Sequence, residues 1–180
     1  MFADGDALVA ALAGALCAEA ETALAARGTF HLVLAGGSTP RELYRALADR
    51  NAGDARWQVW YGDERCLPAG HPERNSVMGE AAWLSASRIP PENRRPIPAE
   101  LCAVEAAARY AGWLKDVADF DVVLLGMRYA SGRPARRCRS PPCTARRKPS
   151  LGSMLQRGRR TTKHAAGTIG RVTIDTHCVS

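Results

Sequence analysis

Two short clusters carry the residues best suited to handling a charged small molecule. The first is Gly36-Gly37-Ser38-Thr39, between the apolar run His31-Leu32-Val33-Leu34-Ala35 and the segment Pro40-Arg41-Glu42-Leu43-Tyr44. The second is Gly62-Asp63-Glu64-Arg65, directly after Trp57-Gln58-Val59-Trp60-Tyr61. A strand, a glycine turn and a helix start present backbone N–H groups and a positive dipole end to an anion. Gly36 and Gly37 allow a sharp turn and a close approach of ligand to backbone. Thr39 is placed to cap the helix, with Pro40 in its first position and Glu42 closing a capping box. In the second cluster, Arg65 has the planar fork that grips phosphate, and Asp63 can handle a proton. The same residues also suit an ordinary strand-to-helix connection and a solvated acidic-basic turn. The first cluster matches neither Walker A nor G-x-G-x-x-G, so nothing in it argues for a nucleotide.

The elements that must position these clusters follow from periodicity. Residues 4–27 spell an amphipathic helix on Leu8, Leu12, Leu16, Ala20 and Leu24, with Gly28 placed as its C-cap. His31–Leu34 reads as a buried parallel strand and Trp57–Tyr61 as a second one, rich in aromatic and β-branched residues. Between them a helix from Pro40 to about Arg50 turns Leu43, Ala46 and Leu47 inward, and Asn51-Ala52-Gly53-Asp54 ends it. A helix opens near His71–Ser76 and continues through Met78, Ala82 and Trp83. Residues 89–98 hold four prolines and must be extended or turning. A helix over roughly 101–117, anchored by Val104, Ala108, Ala111 and Leu114, precedes a third parallel strand, Asp121–Gly126. Alternating strands and helices predict an α/β fold, a Rossmann-like open parallel sheet with flanking helices. In such a sheet ligands bind beyond the carboxyl ends of the strands, where both clusters fall.

The net charge of +7 hides two compositions. Residues 128–180 hold 13 of the 25 Lys and Arg and a single acid, Asp175, a net of +12, which leaves −5 for residues 1–127. We read 1–127 as the globular unit and 128–180 as a basic low-complexity tail, expected to be disordered. No stretch reads as apolar for long enough to cross a membrane, and Asp4 and Asp6 argue against a signal peptide. Cys17, Cys66 and Cys102 are scattered as in a reducing cytoplasm. Cys138 and Cys143 lack a second pair, so no metal site is expected.

In order and spacing, Leu34-Ala35-Gly36-Gly37-Ser38-Thr39-Pro40, then Gly62-Asp63-Glu64-Arg65 with Pro68, His71 and Asn75-Ser76, then Asp121–Met127, resemble the 6-phosphogluconolactonase family. That family shares its fold with glucosamine-6-phosphate deaminase and isomerase. The resemblance spans about residues 1–127. It implies hydrolysis of the lactone ester of 6-phosphogluconolactone to 6-phosphogluconate, in the pentose phosphate pathway, without metal or organic cofactor. It also implies that Gly36, Gly37, Ser38, Thr39 and Arg65 hold the phosphate of a small-molecule sugar phosphate, with Asp63 as the catalytic residue beside the ring. The deaminase branch carries Tyr at the position of Arg65, which favours the lactonase.

After Gly-Met the family continues with Gly-x-Asp-Gly-His-Thr-Ala-Ser, whose histidine is its expected general acid and base. Here the chain reads Arg128-Tyr129-Ala130-Ser131-Gly132-Arg133-Pro134, and the next histidine is His164, in no recognisable motif. The Arg, Pro, Ser, Ala, Gly and Cys mixture that follows is what GC-rich coding DNA yields in a shifted frame. The resemblance therefore implies a truncated family domain with little or no lactonase activity. A tail binding nucleic acid or another polyanion is the competing reading, but with Tyr129 as its lone aromatic it offers no stacking platform.

Overall fold

The computed structural model describes residues 5–101 and 103–125. Their elements run α1 (Gly5–Arg27), β1 (Phe30–Leu34), α2 (Ser38–Asp49), β2 (Trp57–Tyr61), α3 (Asn75–Ala82), β3 (Arg94–Arg95), α4 (Ala103–Leu114) and β4 (Val122–Val123). Short 3-10 turns at Leu84–Ala86 and Pro91–Asn93 lead from α3 to β3. The strands form one sheet in the order β3-β2-β1-β4 with every pairing parallel, so the α/β expectation holds.

Strand alternation divides the core between two faces. Phe30, Leu32 and Leu34 of β1 join Trp57, Val59 and Tyr61 of β2 on one face. There they meet Ala13, Leu16, Ala20 and Ala23 of α1 and Leu43, Tyr44 and Leu47 of α2. Val33 and Trp60 point to the other face, against Tyr110 and Leu114 of α4 with Phe120 and Val123. Trp83 anchors the first face, stacking on Tyr44 and meeting Trp57 edge-on, while its Nε1 donates to the Ala52 carbonyl at 3.0 Å.

Several local expectations shift. The buried stripe of α1 is Ala13, Leu16, Ala20 and Ala23, and Leu12 lies 39 % exposed, because small alanines let the helix sit closer to β1 and α2 than leucines would. The 23-residue α1 is also long and apolar enough to span a bilayer by length and composition, contrary to the sequence reading. Its alanine stripe nevertheless lies in the core, and Arg50 Nη2 at the end of α2 donates to its Ala10 carbonyl at 3.3 Å. On α4, Val104 and Ala108 are exposed while Ala106 and Tyr110 are buried. The helix beginning near His71 starts at Asn75.

The 94–95 segment, read as extended, is a true strand: Val59 pairs with Arg94 and Trp60 with Arg95. The third predicted strand pairs with β1 through Leu32–Val122 and Val33–Val123. The Asp121 N–H to the His31 carbonyl and the Leu124 N–H to the Val33 carbonyl, both 3.0 Å, extend that ladder. Gly126 and the whole basic tail lie outside the described residues. The sequential order β1, β2, β3 grows to one side of β1 and β4 sits on the other. The topological switch point therefore falls at the carboxyl end of β1, where the Gly36-Gly37 turn begins.

Candidate functional site

Leu34 ends β1, and Tyr44 fixes the residue after it. Its hydroxyl accepts the Ala35 N–H at 2.9 Å and donates to the Ala35 carbonyl at 2.7 Å. Gly37 then adopts φ +116°, a conformation L side chains rarely take, and the chain enters α2 at once. Gly37 rather than Thr39 is the N-cap, and no side chain caps the helix. Glu42 does not fold back as a capping box; it pairs with Arg45 at 2.8 and 3.0 Å on the exposed side of α2. The expected cap is unnecessary because glycine itself supplies the turn. Gly37, Ser38 and Thr39 are exposed, and among the described residues nothing accepts the N–H groups of Ser38 and Thr39. The helix start therefore offers free donors and the positive end of the dipole.

The second cluster lies beside the first. The Gly62 N–H donates to the Leu34 carbonyl at 2.9 Å, and the Asp63 carbonyl accepts from Asn75 Nδ2 at 3.2 Å. The Asn75 carboxamide also lies against Gly36: a Cβ there would sit 2.2 Å from its Oδ1. Burial pushes the Tyr44 hydroxyl well above the usual phenol range, the Ala35 backbone partly offsets this, and the Asp63 carboxylate adds to the rise. Arg65 is exposed, and its guanidinium makes no ion pair or hydrogen bond among the described residues. The structure therefore brings Gly36 and Asp63 together around Asn75, leaves Gly37, Ser38 and Thr39 on an open rim, and keeps Arg65 at the outer edge of its loop. A cavity of about 460 Å³ lies elsewhere, on the α4 face, lined by His31, Trp60, Arg95 and Trp113 among others.

The sequence missed how the second cluster is held. Glu64, read as part of a solvated turn, is 4 % exposed. Its Oε1 accepts the N–H groups of Arg65 at 2.8 Å and Asn75 at 2.6 Å, and its Oε2 that of Ser76 at 2.9 Å. It is thus a carboxylate clasp on the start of α3, where the helix dipole favours negative charge. Arg74, also 4 % exposed, places Nε 3.4 Å from Glu64 Oε2, an ionic contact without hydrogen-bond geometry. Its other nitrogens reach Glu100 at 2.9 Å and the Ile97 carbonyl at 2.8 Å. No local pattern signals a clasp formed eleven residues away; Asn75-Ser76 at a helix start was the one available hint.

Residues 3–127 match the model of the family described as glucosamine-6-phosphate isomerases/6-phosphogluconolactonase. A 6-phosphogluconolactonase of Nostoc is 35% identical over 133 residues, covering 69% of this chain and 55% of its own length. The rabbit (Oryctolagus cuniculus) GDH/6PGL endoplasmic bifunctional protein is 39% identical over 133 residues, covering 68% of this chain and 17% of its own length. Among solved structures, a 6-phosphogluconolactonase from Shewanella baltica superposes with a TM-score of 0.63 at 29% identity, over 71% of this chain and 55% of its own. The chain spans about half the length of the single-function relatives it matches. From residue 3 to residue 127, it belongs to the glucosamine-6-phosphate isomerase/6-phosphogluconolactonase family.

Proposed function

We propose that residues 1–127 form the phosphate-holding part of a 6-phosphogluconolactonase-type site, which binds the phosphoryl group of a sugar phosphate at the Gly36–Thr39 turn. The observation that carries this reading is the free N–H pair of Ser38 and Thr39 at an open helix start, at the sheet's switch point and beside Asp63. In this reading Gly36 and Gly37 shape the turn, the Ser38 and Thr39 amides hold the phosphate, Arg65 closes on it from the neighbouring loop, and Asp63 faces the sugar ring. Hydrolysis of the lactone in the pentose phosphate pathway is the activity the family implies, with no metal or organic cofactor. The Gly-x-Asp-Gly-His motif of that family does not occur in this sequence. The chain is therefore expected to bind 6-phosphogluconate and to turn over 6-phosphogluconolactone little or not at all.

The family match ends at residue 127, and we read 128–180 as a separate tail of shifted-frame origin. We place the protein in the cytoplasm on the scattered spacing of its cysteines, with a sugar phosphate and no membrane or nucleic acid as its partner.

Calorimetric titration of the 180-residue chain with 6-phosphogluconate, gluconate and glucosamine-6-phosphate tests the reading. Binding of 6-phosphogluconate, weakened at least tenfold in Arg65→Ala and absent for gluconate, supports it. Equal binding of phosphorylated and unphosphorylated sugars refutes it, and a preference for glucosamine-6-phosphate moves the chain to the deaminase side.

A further inference from the structure

We propose that Asn75 is a positioning residue that sets the separation between the Gly36–Thr39 turn and the Asp63–Arg65 segment. Its effect on ligand binding rests on the sugar-phosphate reading above; its effect on the two loops does not. Asn75 is 5 % exposed and touches the backbone on both sides. Toward β1, its carboxamide lies flat on Gly36, where an added Cβ would stand 2.2, 2.6 and 2.7 Å from Oδ1, Cγ and Nδ2. A Cβ at that position would force the carboxamide to shift. Toward β2, Nδ2 donates to the Asp63 carbonyl at 3.2 Å.

The carboxamide is itself held in place from behind. Its own N–H is held by Glu64 Oε1 at 2.6 Å, the same oxygen that receives the Arg65 N–H at 2.8 Å. One buried carboxylate thus fixes both the spacer and the loop it spaces, and Arg74 neutralises that carboxylate from the side. The outer limits are equally fixed, since Tyr44 grips Ala35 on one side and the Leu34 carbonyl takes the Gly62 N–H on the other. Between these fixed points the carboxamide is the spacer. A ligand bridging Ser38 and Thr39 to Arg65 depends on its thickness and on its bond to Asp63.

The test uses the full 180-residue chain and the variants Asn75→Ala, which removes the spacer, and Asn75→Asp, which keeps the volume but removes the donor. Amide hydrogen exchange by NMR is read at Ala35, Gly62 and Arg65, with Leu32 and Val59 inside the sheet as references. The expected result is a joint rise of about tenfold at Ala35, Gly62 and Arg65 in both variants, with the mid-strand amides unchanged, the factor of one lost hydrogen bond. Affinity for 6-phosphogluconate is expected to fall by a similar factor. Faster exchange on only one side of Asn75, or a uniform rise that includes Leu32 and Val59, overturns the proposal. Unchanged affinity in a parent chain that does bind also overturns it. If the parent chain binds no 6-phosphogluconate, the sugar-phosphate reading falls, and the exchange pattern alone decides the role of Asn75.

Discussion

The Tyr110 hydroxyl stands 2.9 Å from both the amide nitrogen and the carbonyl oxygen of Tyr61, accepting from the first and donating to the second. Tyr44 does the same for Ala35 from the opposite face of the sheet, at 2.9 and 2.7 Å. One phenol on α4 and one on α2 therefore close the hydrogen-bonding edge just where each strand gives way to a site loop. Each phenol is buried, which drives its hydroxyl well above the usual range and keeps it neutral and able to donate.

Removing either hydroxyl leaves a buried N–H and C=O without their partner. Tyr44→Phe and Tyr110→Phe are each expected to lower stability by about 1–3 kcal/mol in urea unfolding. The double variant is expected to be close to additive, since the two phenols lie on opposite faces. A loss below about 0.5 kcal/mol in either single variant would mean that water takes over the bonds.

Gly36→Ala drives a methyl into the Asn75 carboxamide. A loss of about 1–3 kcal/mol is expected, as for overpacking a filled site. Adding Asn75→Ala should recover part of it, because the clash partner is gone. Gly14→Ala is the matching control: its Cβ would meet nothing within 4 Å inside α1, so the substitution should stabilise by about 0.5–1 kcal/mol. Thermal unfolding of the four chains decides the matter, and a Gly36→Ala protein as stable as its parent would show that Asn75 swings away freely.

Periodicity and glycine chemistry make β1, β2, α1, α2 and the two loops readable, since each is set by residues a few positions apart. β3 is two arginines among prolines, too short and too charged to show a pattern, and it exists because Val59 and Trp60 pair with it. At the site, Gly36 and Asp63 are legible as loop residues at strand ends. The burial of Glu64 and Arg74 is not, because it arises only when the 64–75 loop returns against β1. Tyr44 reads only as a neighbour of the inward stripe of α2, and nothing in its helix indicates that its hydroxyl caps a strand.

Glu64 and Arg74 form a buried pair whose halves depend on each other. Arg74→Met leaves the Glu64 carboxylate held by three N–H groups but without its counter-charge, whereas Glu64→Leu leaves the guanidinium with Glu100 and the Ile97 carbonyl. The first is expected to cost about 3–5 kcal/mol, the second less because Glu100 still pairs with Arg74, and the joint replacement less than the sum. Chemical denaturation of both single variants and the double variant measures this coupling; strict additivity would show that the pair acts through packing alone.

His31 is expected to make the fold sensitive to mild acid. Burial, then the charges of Arg27 and Arg95, hold its imidazole below the ordinary range. Its backbone N–H donates to Asp121, which also pairs with Arg27, and Glu92, Arg94 and Asp116 line the same cavity. Because the folded state resists the proton, the unfolded chain takes it up first as pH falls through about 6.5. The contribution of neutral His31 is therefore complete above that pH and is lost progressively below it, down to the lowered folded value. Asp54 and Glu100, whose carboxyls are also held low, lose their contributions only in a separate window below about pH 4–4.5. Urea unfolding between pH 7.5 and 5 should thus show falling stability in the parent chain and a flatter profile in His31→Gln. Parallel profiles for the two chains over that range would assign the acid sensitivity to other groups.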